Sequence, residues 1–337
     1  MSTLTPPKLR LVFMGTPDFS AVILDQVLAW PGGEVVAVYT QPDRPAGRGK
    51  QMQAPPVKRL AVGHGLEVRQ PLNFKNPADI AALAALKPDF LLVAAYGLIL
   101  PQAVLDIPGL APVNVHASLL PKYRGAAPIQ RAVMNGDTET GIAIMRMEAG
   151  LDTGPVYAVR TLPIGPDDTA GDVHDALACL GGELLLETLP GIASGALVPA
   201  PQDNAAATYA PKLSKEDGRV DFNKTAREVH NQVRGVSPWP GAWCELHRET
   251  EAGEGLIRVR ICPGQVAPAE YNAVHAAALP GTVLGVAGEC LAVKCADGAY
   301  FIPQVCPSNS KMMAALEFAC GYLHQADACK AVNLPHA

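Results

Sequence analysis

The sequence predicts an α/β protein with a doubly wound, mostly parallel sheet and a smaller C-terminal β-barrel. Over roughly the first 195 residues, strand and helix patterns alternate, which is typical of a parallel sheet covered by helices. Beyond this point the strands are short and closely spaced. At 337 residues the chain also exceeds the roughly 250–300 residues at which single cores stop growing. We therefore predict domains over 1–195 and 212–330, joined by a linker over 196–211.

Runs of apolar residues predict the strands of the first domain, and capping patterns predict its helices. The tetrapeptide Asn76-Pro77-Ala78-Asp79 is a strong helix start because it combines a capping Asn, a Pro in the first turn and an early acid. Asp18 is predicted to cap an earlier helix. The predicted strands are 9–14, 35–39, 66–69, 90–95, 112–116, 142–147 and 156–159, and the predicted helices are 19–30, 76–86 and 172–189.

The second half has a different pattern. Residues 194–207 are rich in Ala, Pro, Gly and Gln, as in a linker, and one helix is predicted over 225–234. Turns such as Asp297-Gly298 separate the short β segments that follow, and this spacing indicates a small barrel or sandwich. These segments are 241–246, 257–261, 281–284, 290–294 and 300–305.

The composition argues against several classes of protein. A hydrophobic fraction of 49% with 18% charged residues argues against disorder, and a net charge of −5 restricts nucleic-acid binding to local patches. The eight cysteines contain no C-x-x-C pair, which argues against a zinc site and a disulfide framework. The longest apolar stretch, 90–100, is too short to span a bilayer, so we expect a soluble, cytoplasmic protein.

Asn114 and His116 are candidate catalytic residues. They lie two apart on a predicted strand, so their side chains project from the same face. An amide and an imidazole directed at one point can donate to a developing oxyanion, and the imidazole can also transfer protons. Taken alone, His116 is more often a structural hydrogen-bonding residue, and Asp152, in the glycine-flanked loop 148–155, is more often a turn former.

A series of motifs covers nearly the whole chain. They are MGTPDF (14–19), QPDRPAGRGK (41–50), AAYGLILP (94–101), NVHASLLPKYRGAAPIQRA (114–132), GLDTGP (150–155), TYAPKLSKEDGRVDF (208–222) and RGVSPWPGAW (234–243). Together they resemble the folate-dependent formyltransferases, and the stretches 41–50 and 208–222 resemble the methionyl-tRNA formyltransferase family in particular.

The resemblance implies a Rossmann-like formyltransferase domain and an OB-like barrel that binds tRNA. It implies transfer of a formyl group from 10-formyltetrahydrofolate to the α-amino group of methionine on initiator tRNA, for translation initiation. No metal, membrane or DNA is expected to take part. By motif, the catalytic residues are Asn114, His116 and Asp152. Asp152 would keep His116 charged or also take the proton of the amine, and the sequence does not choose between these roles.

The resemblance also implies binding residues. The folate is expected against the turn 118–121, with its pterin near 94–98, so the predicted folate contacts are Ser118, Leu119, Leu120, Pro121, Tyr96, Gly97 and Leu98.

Two basic patches, over 41–60 and 122–131, are candidates for tRNA phosphates, and the first is predicted to be a mobile loop. The predicted tRNA contacts are Arg44, Arg48, Lys50, Lys122, Arg124 and Lys212, and Arg131 belongs to the second patch. Weaker candidates are Arg258, Arg260, Lys294 and Lys311. From Ala205 onward the chain has 12 basic and 13 acidic residues, so its second half is not conspicuously basic.

Two alternatives stay open. One is a formyltransferase that acts on a small amine, such as an amino sugar or a glycinamide ribotide. The second domain and the 41–50 loop argue against it. The other is a folate- or RNA-binding protein without catalysis, and the complete set of Asn114, His116 and Asp152 argues against that.

Overall fold

The computed structural model describes residues 8–46, 49, 51–250, 253–323 and 330–331. The described residues form two compact units, each containing more than one segment of the chain. The first unit falls within Met1–Pro128, Glu139–Pro163 and His174–Ala210. The second falls within Ile129–Thr138, Ile164–Val173 and Pro211–Ala337. Residues 196–210 of the predicted linker thus fold as part of the first unit.

A seven-stranded sheet forms the centre of the first unit, with the strand order β10-β9-β7-β6-β1-β2-β5. Five of its strands pair in parallel, whereas β9 pairs antiparallel with both of its neighbours, β7 and β10, which confirms the predicted mostly parallel sheet. Up to the end of α6 the elements are β1 Leu9–Gly15, α1 Asp18–Ala29, β2 Gly33–Tyr39, β3 Arg44–Ala46, β4 Gln51–Gln53, α2 Pro56–Gly63, β5 Val68–Arg69, α3 Pro77–Ala84, β6 Phe90–Ala94, α4 Gln102–Leu105, β7 Ala111–His116, β8 Arg124–Gly125, α5 Pro128–Met134, β9 Glu139–Arg146, β10 Val156–Pro163 and α6 Ala170–Ala193.

The central strands are apolar because water reaches neither face of the sheet. Every residue of β6 and β7 is buried, and so are the last five of β1. Strands covered on both faces have continuous apolar runs rather than alternation. A polar residue in such a strand therefore stands out, and Asn114 and His116 are the two polar residues within β7.

Two helix starts differ in how they are capped. The Asn76 side chain accepts a hydrogen bond from the backbone N–H of Ala78 at 3.0 Å, which confirms the predicted cap of α3. The predicted cap at Asp18 is wrong, because Pro17 occupies the cap position and Asp18 is the first residue of α1. Its carboxylate still lies in the first turn, where a negative charge interacts favourably with the helix dipole and stabilises the helix.

Helix α6 is long and apolar. Among the described residues it meets the length and hydropathy criteria for crossing a membrane, with a mean hydropathy of 1.4. Half of that apolar window is buried inside the protein, as in a core helix.

Antiparallel sheets form the second unit, which confirms the predicted change of architecture. One sheet has the strand order β19-β18-β13-β12-β20 and the other has the order β14-β17-β16-β15. They share an apolar core with the helices, in which Phe222, Tyr300 and Phe318 are fully buried. From Tyr209 onward the elements are β11 Tyr209–Ala210, α7 Ala226–Gly235, β12 Ala242–Thr250, β13 Gly253–Ile261, β14 Gln265–Val266, α8 Ala269–Val274, β15 Val283–Ala287, β16 Cys290–Lys294, β17 Ala299–Ile302, β18 Gln304–Pro307, β19 Met313–Ala314, α9 Ala315–Tyr322 and β20 Lys330–Ala331.

Helix α7 begins with a reciprocal cap. The Thr225 hydroxyl accepts a hydrogen bond from the backbone N–H of Glu228 at 3.2 Å, and the Glu228 carboxylate accepts one from the Thr225 N–H at 2.9 Å. The same two contacts satisfy backbone donors that the first turn of a helix leaves free.

We expect Thr225→Ala to lower the free energy of unfolding of the second unit by about 1 kcal/mol, because the cap is lost. Urea denaturation followed by circular dichroism measures the change. Thr225→Ser is the matched control, since it keeps the hydroxyl and is expected to stay close to the parent protein. An equal loss in both variants would show that the hydroxyl is not what stabilises the helix.

Candidate active site

His116 ends β7 at the carboxyl edge of the parallel strands, where ligands bind in doubly wound sheets. Its Nε2 donates to the backbone oxygen of Tyr123 at 3.0 Å, and the side chain is 6% exposed. Its Nδ1 faces the Asp152 carboxylate, 3.7 Å from Oδ1. Because a carbonyl oxygen can only accept, Nε2 must carry a hydrogen, and Nδ1 is the ring nitrogen that can change its protonation.

Asp152 lies in the loop between β9 and β10. Its backbone is left-handed, with φ at +51°, a conformation that Asp tolerates better than most residues. Carboxylate oxygen Oδ2 accepts a hydrogen bond from the Gly125 N–H at 2.8 Å, which leaves Oδ1 directed at His116. The side chain is 16% exposed, so a ligand can reach it.

Asn114 is placed near His116 by the strand that they share. It lies two residues before His116 on β7, between β6 and β9, so both side chains leave the same face of the sheet. Asn114 is 9% exposed. The first unit thus brings an amide, an imidazole and a carboxylate to one edge of the sheet.

The predicted folate turn 118–121 follows directly. The Ser118 hydroxyl is buried and donates to the Lys122 backbone oxygen at 2.6 Å, so it holds the turn together. The Leu120–Pro121 peptide bond is cis. Leu119, Leu120 and Pro121 are half-buried, and they give the turn an apolar surface.

The second predicted folate segment, 94–98, is held by hydrogen bonds to its backbone. The Tyr96 carbonyl accepts hydrogen bonds from Thr16 Oγ1 at 2.8 Å and from Gln41 Nε2 at 3.1 Å. The Tyr96 ring lies in the core, where burial raises the pKa of its phenol. Tyr96 was predicted to contact folate, but its ring and its carbonyl oxygen are both engaged within the protein. Leu98, which is half-buried, presents apolar surface beside it.

Three residues that were not among the predicted site residues shape this segment. Thr16 and Gln41 anchor Tyr96, and the Ser20 hydroxyl donates to the Ala94 carbonyl at 2.5 Å. The first two lie in the stretches 14–19 and 41–50, and Ser20 follows the first stretch directly. These two motifs were the sequence feature that could have indicated the residues, although a motif does not show which backbone carbonyl each side chain reaches.

The first basic patch contains a short hairpin, in which β3 pairs with β4. Arg44 is exposed on β3 and donates to the Gln41 side chain. Lys58 pairs with Asp43 at 2.8 Å, and hydrogen bonds from Gln70 and Lys58 lower the pKa of the Asp43 carboxyl. The predicted tRNA contacts Arg48 and Lys50 lie outside the described residues.

The second basic patch is smaller than predicted. Lys122 is exposed, but Arg124 is only 2% exposed and donates to the side chains of Gln202 and Asn204, so it cannot present its charge to a phosphate. Arg131 pairs with Asp217 at 2.8 Å. The expectation that Arg124 contacts tRNA is therefore corrected, because a buried guanidinium needs partners inside the protein.

The remaining basic candidates belong to the second unit. Lys212, Arg258, Arg260 and Lys311 are exposed, and the guanidinium of Arg258 lies 3.2 Å from the centre of the Trp243 ring. Lys294 is only 5% exposed, so the structure does not support it as an RNA contact.

Metal ligation has no support in the part of the chain that the structure describes. Those residues contain no group of three or more His, Cys, Asp or Glu side chains placed to hold a metal ion. The seven cysteines they include are free thiols.

Two family models match the chain. The model for formyl transferase matches residues 9–189, and the model for the formyl transferase C-terminal domain matches residues 212–323. The methionyl-tRNA formyltransferase of Nitratidesulfovibrio vulgaris strain DP4 is 54% identical over 95% of this chain and 94% of that protein. The enzyme of that name from Chromohalobacter salexigens is 50% identical over 85% of both chains.

Solved structures share the fold at lower identity. HypX from Aquifex aeolicus, solved in complex with tetrahydrofolic acid, matches 95% of this chain and 48% of its own, with 19% identity and a TM-score of 0.59. The sugar 3N-formyl transferase WlaRD matches 90% of this chain and all of its own, with 16% identity and a TM-score of 0.61. The match of both domain models and the high identity to curated relatives mean that the chain belongs to the methionyl-tRNA formyltransferase family of formyl transferases.

Proposed function

We propose that this chain transfers a formyl group from 10-formyltetrahydrofolate to the α-amino group of methionyl-initiator tRNA, in the cytoplasm. The observation that carries the chemistry is the pairing of His116 and Asp152 at 3.7 Å, beside Asn114, at the carboxyl edge of the sheet. The curated relatives with this name support the choice of acceptor.

His116 acts through Nδ1. Its Nε2 is engaged by the Tyr123 carbonyl, and the Asp152 carboxylate is placed to stabilise the positive charge of the imidazolium. When the amine attacks the formyl carbon, the carbonyl oxygen becomes an oxyanion. Nδ1–H and the amide of Asn114 donate to that oxyanion, which lowers the energy of the transition state.

Asp152 accepts the proton that the amine loses. Its Oδ2 is engaged by Gly125, so this role falls to Oδ1. At 3.7 Å, the distance from Oδ1 to His116 Nδ1 exceeds the roughly 2.7–3.2 Å of a hydrogen bond, so Nδ1 leaves Oδ1 able to accept a proton from the amine. Oδ1 therefore performs both roles that the sequence left open: it stabilises the charged His116, and it takes the proton of the amine.

The proton that leaves the amine is returned through Asp152 and His116. The amine forms a bond to the formyl carbon and gives its proton to Asp152. As the oxyanion re-forms the carbonyl, the bond between that carbon and N10 of the folate breaks, and N10 takes a proton from His116. Proton transfer from Asp152 to His116 then restores the site.

The folate donor fits the apolar surface at this edge of the sheet. Leu119 and Leu120 of the turn 118–121, together with Leu98, offer half-buried apolar side chains after the carboxyl ends of β7 and β6. Apolar walls with a few placed polar groups are typical of small-molecule sites. Gly97 adds a left-handed backbone, with φ at +80°, at a point where a Cβ would meet Gln41 at 2.3 Å.

The decisive experiment is a formyl-transfer assay with the purified chain. We expect formylation of Met-tRNA when 10-formyltetrahydrofolate is the donor. A sugar-nucleotide amine and glycinamide ribotide serve as competing acceptors. Transfer to one of these small amines, with none to Met-tRNA by folded protein, would overturn the proposal.

His116→Ala is expected to lower kcat by about 10²–10⁴-fold, because the proton carrier and one oxyanion donor are lost. The affinity for Met-tRNA, measured by filter binding, should change less than about twofold, since the bulk of such binding comes from phosphate contacts. His64→Ala is the matched control, because His64 is exposed at the end of α2. A fall in tRNA affinity that matches the fall in kcat would contradict this division of roles.

Arg44→Ala is expected to raise the KM for Met-tRNA and to leave the KM for the folate donor unchanged, because exposed Arg44 would contact a phosphate. The salt dependence of tRNA binding should fall by about one phosphate contact. Arg10→Ala removes one positive charge at the opposite, N-terminal end of β1 and serves as the control. Equal effects of the two substitutions would mean that net charge alone matters.

A further inference from the structure

The segment that follows α6 carries a glutamine that reaches back to the loop of Asp152. We propose that Gln202, held in place by Arg124, positions Asp152 for formyl transfer. The inference rests on the proposed role of Asp152 and extends it to residues outside the catalytic trio. Neither Gln202 nor Arg124 contacts the reacting atoms, so both are positioning residues.

Gln202 holds the Asp152 turn from outside. Its Nε2 donates to the backbone oxygen of Asp152 at 2.8 Å and to that of Gly154 at 2.7 Å. One amide group thus holds two carbonyls on either side of Thr153. Both hydrogens of the amide are used, so the position of the turn depends on the position of Gln202.

Arg124 fixes the orientation of that amide. Its Nε and Nη2 donate to Gln202 Oε1 at 3.1 and 2.8 Å, and Nη2 also donates to Asn204 Oδ1 at 2.8 Å. If the Gln202 amide rotated by half a turn, its NH₂ would face the guanidinium and its oxygen would face two carbonyls. Donors would meet donors and acceptors would meet acceptors, so only one orientation satisfies both sides.

These contacts close a ring through Asp152. The residue next to Arg124, Gly125, donates its backbone N–H to Asp152 Oδ2 at 2.8 Å. One short strand, β8, therefore holds the Asp152 carboxylate directly and holds its backbone through Gln202. Because both ends of the residue are held from the same strand, Oδ1 has a defined position 3.7 Å from His116.

The backbone of Asp152 needs such support. Its φ of +51° is in the left-handed region, which non-glycine residues adopt where the surroundings enforce it. The flanking sequence Gly150-Leu151-Asp152-Thr153-Gly154 has a glycine on each side and does not restrict the turn by itself. The hydrogen bonds from Gln202 supply that restriction.

Gln202→Ala tests the inference. We expect kcat to fall by about 10- to 100-fold, because a displacement of a catalytic group by about 1 Å has effects of this size. The KM values for Met-tRNA and for 10-formyltetrahydrofolate should change less than about twofold. Misfolding alone would reduce the fraction of active protein rather than the kcat of each active site. Titration of the active sites with a tight-binding folate analogue measures that fraction independently.

Two further variants complete the set. Gln26→Ala is the matched control, because Gln26 in α1 also donates from its side chain to a backbone oxygen of the same unit, that of Cys179 at 3.1 Å. It should keep the parent kcat. Gln202→Glu retains the size and the pairing with Arg124 but places an oxygen against the two carbonyls, so it should lose kcat as well. If Gln202→Ala fails to fold, Gln202→Glu replaces it as the test variant. Parent-like turnover in Gln202→Glu would overturn the inference.

A double-mutant cycle separates this inference from the proposed function. If Gln202 acts through Asp152, then Gln202→Ala should lower kcat by less than about threefold in an Asp152→Asn background. An equal fold-loss in both backgrounds would overturn the inference. If Asp152→Asn alone loses turnover and Gln202→Ala does not, the inference fails while the role of Asp152 stands. If Asp152→Asn keeps parent turnover, the role of Asp152 fails, and the inference fails with it.

Discussion

The hydrogen bonds of residues 123–125 set the geometry on which the catalytic arrangement depends. Tyr123 accepts from His116, and Gly125 donates to Asp152, so one short stretch holds both ionisable side chains. Two of its residues have left-handed backbones, Tyr123 with φ at +60° and Gly125 with φ at +116°. A Cβ on Gly125 would meet the Ala210 carbonyl at 2.8 Å, so the close pairing of β8 with β11 requires glycine there.

The parallel sheet explains why these residues converge. Strands β1, β6 and β7 are neighbours and run in the same direction, so the loops after their carboxyl ends lie along one edge. Thr16 and Gln41 follow β1 and β2 and reach Tyr96 after β6. The loops are therefore tied to one another by hydrogen bonds to backbone carbonyls, and the turns that line the edge are held in place before any ligand arrives.

The positions of basic residues in the sequence do not reveal which of their side chains are exposed. Clusters of arginines and lysines indicated phosphate contacts, yet Arg124 is buried against Gln202 and Asn204, and Arg131 pairs with Asp217. Charge in a sequence does not distinguish an exposed guanidinium from one that satisfies buried oxygens, because the partners lie far away along the chain. Gln202 is 78 residues from Arg124. Exposure, which Arg44 and Lys122 do have, is decided by folding.

The sequence by itself determined the class of the fold, most element positions, and the family to which the chain belongs. Those features depend on local patterns, namely apolar runs, caps and contiguous motifs such as Asn114-x-His116. Only the tertiary structure decided which nitrogen of His116 faces Asp152, which carbonyls Thr16 and Gln41 hold, and that Gln202 supports the Asp152 turn. These contacts join residues far apart in the chain, and their geometry arises from the strand order that brings separate loops together.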